Sequence, residues 1–106
     1  MAERSEFDGW IQALDAYWAL PDGALYQLRQ GELNIAGIDE LISFLRGIAI
    51  ADDALIPKRF ASLLWMLPTF MGWQVERVIE GGGSADALRD RTQLVYNEVE
   101  RILGIP

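Results

Sequence analysis

Carboxylates are the only side chains in this 106-residue sequence plentiful enough to do chemistry: sixteen Asp and Glu stand against nine Lys and Arg, with no histidine and no cysteine. Carboxylates do acid–base work when their environments separate their pKa values, and they hold Mg²⁺ through oxygen ligands. Two pairs have a spacing that would allow it. Asp52 and Asp53 are adjacent, and Glu76 and Glu80 lie four apart on one helix face. Neither pair has a supporting cluster, and the Glu-x-x-His pattern of a di-iron bundle cannot exist without histidine. Solvated charge at helix ends is the better reading of both.

The two missing residue types narrow the chemistry further. Histidine is the commonest general base near neutral pH and the commonest metal ligand, so most familiar hydrolase and transferase machinery is excluded. Without cysteine there is no thiolate nucleophile and no disulfide, and nothing points to an oxidising compartment. We therefore expect a protein that is not an enzyme, with no catalytic residue, no cofactor and no metal site; an unfamiliar carboxylate and Mg²⁺ enzyme is the catalytic alternative. Gly81-Gly82-Gly83 ahead of a helix resembles a phosphate cradle only superficially. No Lys-Ser or Lys-Thr follows, no strand precedes, and Glu80 and Asp86 flank it with like charge, so it reads as an interhelical linker.

Binding chemistry fares better. A net charge of -7 repels nucleic acid phosphates and anionic lipid, and it attracts a basic protein surface such as the substrate cleft of a nuclease. We expect no nucleic acid and no membrane partner. Asp39, Glu40, Asp52 and Asp53 bracket one helix and are the candidate acidic contacts. Tyr26, beside the polar run Gln27 to Glu32, and Trp65, near the edge of an apolar face, are the candidate aromatic anchors. Asp8, Asp15 and Asp22, spaced by seven, draw a polar stripe along the first helix. Lys58 and Arg59 are the nearest thing to a basic patch and are expected to pair with Asp52 or Asp53.

The elements that must position these residues are helical almost throughout. Ser5 and Asp8 have the spacing of a capping box, and Phe7, Trp10, Ile11, Leu14, Tyr17 and Trp18 then recur at helical steps until Pro21. Asp22 is expected to cap a short second helix ended by Gly31. A loop through Asn34 and Gly37 leads to a third helix with Ile38, Leu41, Ile42, Leu45 and Ile48 inward. Pro57 suits the first turn of a fourth, with Phe60, Leu63, Leu64 and Leu67 inward. Pro68 must kink or break the run, which continues from Thr69 to Ile79. Ser84 caps a last helix through Leu103, with Leu88, Val95, Val99 and Ile102 on its core face.

The expected architecture is thus all-α, a single-domain bundle of about five helices over residues 1–106. The most apolar stretch, Phe60 to Trp73, is too short for a bilayer span and contains Pro68. Met1 to Glu6 lacks the basic and apolar regions of a secretory signal, which points to the cytoplasm.

One lysine against eight arginines fits a high-GC bacterial coding bias. The stretch Leu55-Ile56-Pro57-Lys58-Arg59-Phe60-Ala61-Ser62-Leu63-Leu64-Trp65-Met66-Leu67-Pro68, with the acidic loop before it, resembles immunity proteins of contact-dependent growth inhibition systems. That resemblance implies a bacterial immunity protein that binds and neutralises a cognate toxin domain, frequently a nuclease. It transfers no functional positions. The alternative is a self-associating helical module with a structural or regulatory role, in which case a homo-oligomer is expected.

Overall fold

Most of the apolar stripes in the sequence become inner faces of helices, and where two stripes meet without a break the chain inserts one. A computed structural model describes residues 4–106. The chain is all-α, and among the described residues there are seven helical segments and no strand. They are α1 (Arg4–Ala19), α2 (Ala24–Arg29), α3 (Ile35–Arg46), α4 (Lys58–Trp65), α5 (Leu67–Trp73), α6 (Val75–Glu80) and α7 (Ala85–Leu103). No helix among them is long and apolar enough to cross a membrane.

Helix α7 is the spine, packed chiefly on α3 and α5 and also touching α4 and α6, while α1 lies over α2 and α4. Phe7 and Leu14 of α1, Leu25 and Leu28 of α2, and Ile38, Leu41 and Leu45 of α3 meet Phe60, Leu64, Leu67 and Met71 in one core closed by Leu88, Val95 and Val99. At ~25 cal/mol per Å² of apolar surface removed from water, this burial is the dominant stabilising term.

The turns explain where the elements start and stop. Ser5 lies within the first turn of α1 rather than ahead of it, so the expected capping box is not formed. Asp22 does not cap α2 either. The cap is Gly23, whose N–H bonds the Leu20 carbonyl at 2.8 Å as the chain doubles back. A Cβ on Gly23 would come within 2.5 Å of the Ala16 and Tyr17 carbonyl oxygens, so the tight reversal demands glycine at the capping position itself. Gly31 ends α2 in the left-handed region, as expected, with φ 84. Asn34 is the cap of α3, its side chain accepting from the Gly37 N–H at 2.9 Å, so the helix opens ahead of Gly37. Ser84 caps α7 in the same way through Ala87, and Gly104 closes it.

The break near Pro68 falls at Met66. Pro68 then occupies the first turn of α5, where its missing N–H needs no partner. The expected single helix from Thr69 to Ile79 is two short ones, divided at Gln74. Of that stretch Phe70 and Val78 are buried, whereas Trp73 and Ile79 are exposed.

Gln74 is the one buried polar side chain in the described core. Its Nε2 donates weakly to the Phe70 carbonyl at 3.3 Å, and its Oε1 has no partner. A buried unsatisfied acceptor costs ~1–3 kcal/mol, more than the long hydrogen bond returns. Gln74→Met, which keeps the side-chain length, is expected to stabilise the protein by about 1 kcal/mol and raise Tm by about 5 °C, measured by thermal unfolding.

Candidate partner-binding surface

The longest connection in the bundle, residues 47–57 between α3 and α4, carries Asp52 and Asp53. Both feet of this loop are anchored by apolar side chains: Ile48 is fully buried, and Ile50 and Ile56 pack against the core. A turn closed by the Ala54 N–H on the Ala51 carbonyl at 3.0 Å places Asp52 and Asp53 at its two corners, both exposed. Next to them Leu55 is 95% exposed, the most exposed large apolar side chain described. On its other flank the loop borders a hollow of about 600 Å³ shared with the C-terminal segment and lined by Ile50, Asp52, Ala54, Ile56, Ile102 and Ile105.

Arg101 sets the position of this loop. From α7 it donates Nη2 to the Leu45 carbonyl at 2.9 Å, Nη1 to the Ile48 carbonyl at 2.8 Å, and Nε to Glu98 at 2.9 Å. Arginine is well suited to this because its fork reaches two carbonyls at once where α3 ends, at the negative end of the helix dipole, adding to the bond that the Leu45 carbonyl already accepts from the Ile48 N–H. Arg101→Ala is expected to cost about 2 kcal/mol in denaturant unfolding and to speed proteolytic cleavage within residues 47–57.

The expected pairing of Lys58 or Arg59 with the acidic loop is not what is observed. Arg59 instead bonds Asp15 of α1, because the α1–α4 packing brings those two side chains together. Asp52 and Asp53 therefore have no ion-pair partner among the described residues.

The remaining candidates are dispersed. Asp39 and Glu40 are consecutive on a helix and so point about 100° apart. Asp39 faces α7, where it pairs with Arg91 at 3.2 Å. Glu40 faces α1 and lines a separate hollow of about 320 Å³ with Ala13, Tyr17, Leu20 and Asp22. The Tyr17 hydroxyl there is pushed above its ordinary pKa, first by burial and then by the Glu40 carboxylate. Tyr26 is half-buried on α2. Trp65 is 56% exposed at the last residue of α4, about 10 Å along that helix from the loop end.

Of the six candidate contacts, then, only Asp52 and Asp53 share one place. The structure adds exposed apolar residues that the sequence reading passed over, Leu20 beside Asp22 and Leu55 beside Asp53. The signal for Leu55 was present: it lies between Asp53 and Pro57, outside any helical stripe, where no core position claims it. Among the described residues no three acidic side chains converge as a metal site would require. Comparison of this chain with protein families, with curated proteins and with solved structures finds no match.

Proposed function

We propose that the protein is an immunity protein, which neutralises a cognate bacterial toxin domain by binding it through the acidic loop between α3 and α4. The observation that carries this reading is the juxtaposition of Asp52 and Asp53 on a turn with Leu55 directly after it, all in one tethered loop. Two unpaired carboxylates give long-range attraction to a basic cleft, and an almost fully exposed leucine gives an apolar group to bury on arrival. The Arg101 anchorage preorganises the turn, which lowers the entropy lost on docking. A nuclease must present basic residues to its substrate, so it is the toxin class with the best charge match. The reading is of binding without catalysis.

The test is isothermal titration against the toxin domain encoded immediately upstream, at two salt concentrations. One-to-one binding that weakens as salt rises is the expected result. No binding at micromolar protein would remove the pairing.

A second reading, self-association, rests on a different face. Tyr96 of α7 lines a shallow hollow of about 290 Å³ with Pro68 and Thr69, and Trp73 further along α5 is 65% exposed. Sedimentation across a hundredfold range of concentration decides it; a constant monomer mass would exclude it.

A further inference from the structure

Most arginines in this chain are matched to carboxylates: Arg46, Arg59, Arg89, Arg91 and Arg101 each lie within 4.0 Å of an Asp or Glu. Among the described residues Arg29 and Arg77 form no such pair, and they are neighbours. Arg77 reaches across from α6 to donate Nη1 to the Arg29 carbonyl at 2.7 Å. The Arg29 guanidinium is held over the Phe70 ring, 5.4 Å from its centroid, and Phe70 is itself buried and set edge-on against Trp18. Two residues after Arg29 the left-handed Gly31 brings the chain against the Arg77 backbone.

The two arginines, from different helices and each restrained by a contact of its own, line one open hollow of about 510 Å³ together with Gln30, Gly31, Glu80 and Gly81. Each guanidinium carries five N–H donors. Arg77 uses one of its group in the hydrogen bond to Arg29, and the Arg29 side chain donates to no described residue. Two cations that line one hollow repel each other, and an anion bound in that hollow offsets the repulsion.

We propose that Arg29 and Arg77 form a binding site for a phosphoryl group. Guanidinium forks match phosphate oxygens bidentately, and a dianion balances both cations where a monoanion balances only one. Glu80 on the rim and the net charge of -7 oppose a long polyanion, so the ligand is a single phosphoryl group, either free phosphate or a small phosphate ester. This site is independent of the toxin reading.

The experiment is an NMR titration that follows the arginine Nε–Hε signals at constant ionic strength, with inorganic phosphate, glycerol phosphate and acetate as probes. The Arg29 and Arg77 signals are expected to shift along saturating curves with the phosphates and not with acetate. Binding should be tighter near pH 8 than near about pH 5.5, as the second phosphate proton is lost. Arg29→Gln and Arg77→Gln should each weaken it about tenfold. Arg29→Gln keeps the backbone carbonyl that Arg77 uses, so weaker binding at unchanged Tm separates a lost ligand contact from unfolding. Saturation by both phosphates, or by one alone, supports the site and identifies its source. Non-saturating shifts, an equal response to acetate, or unchanged binding in both variants would overturn it.

Discussion

Phe60→Ala is expected to cost the protein about 3–5 kcal/mol and to lower Tm by ~15 °C or more. Phe60 is fully buried in the first turn of α4, and it is enclosed by aromatic rings from α1: Phe7 edge-on at 5.2 Å and Trp10 tilted at 5.7 Å. Phe7 and Trp10 also contact each other edge-on at 5.4 Å, so the three rings form one closed cluster. Truncation removes both the transfer free energy of the ring and its aromatic pairings, and the two remaining rings cannot collapse into the space without moving α1. Phe60→Leu keeps most of the volume and should cost clearly less. Chemical denaturation of the two variants checks the order, and equal small losses would show that α1 is not anchored at this point. The cluster has a functional consequence, since α4 begins where the acidic loop ends.

The helical faces were legible because burial imposes a period that survives in any single sequence. Phe60, Leu63, Leu64 and Leu67 are all buried as their spacing requires, and so are Leu88, Val95, Val99 and Ile102. Caps were legible only where a side chain performs them. Ser84 does so for α7, but α2 is capped by backbone in a turn too tight for a Cβ, and that crowding is a tertiary fact absent from local spacing. The division at Gln74 has no proline or glycine at the break to announce it. Ion pairs were the least legible. Arg59 finds Asp15 across 44 residues and Arg91 finds Asp39 across 52, so charges close in sequence were poor guides to their partners. The same long-range packing split the candidate site. Asp52 and Asp53 stay together because they are adjacent in a turn, whereas Asp39 is turned toward α7 and Glu40 toward α1.

On the proposed immunity function, reversing both charges of the loop, Asp52→Lys with Asp53→Lys, is expected to weaken binding of the toxin domain on the order of a hundredfold, about 3 kcal/mol. Neither carboxylate has an ion-pair partner among the described residues, so the change breaks no contact there and should leave Tm nearly unchanged. Against a basic cleft, two attractions become two repulsions, which slows encounter and raises dissociation together. Their contribution is screened by salt, so the variant should lose most of the salt dependence expected of the native protein. Leu55→Ala separates the second component of the same surface. It removes apolar area without changing charge, so it should raise the dissociation rate and leave the salt dependence intact. Affinity unchanged in the charge-reversed protein would exclude this loop as the contact surface, and the hollow flanked by Glu40 and Asp22 would be the next acidic surface to reverse.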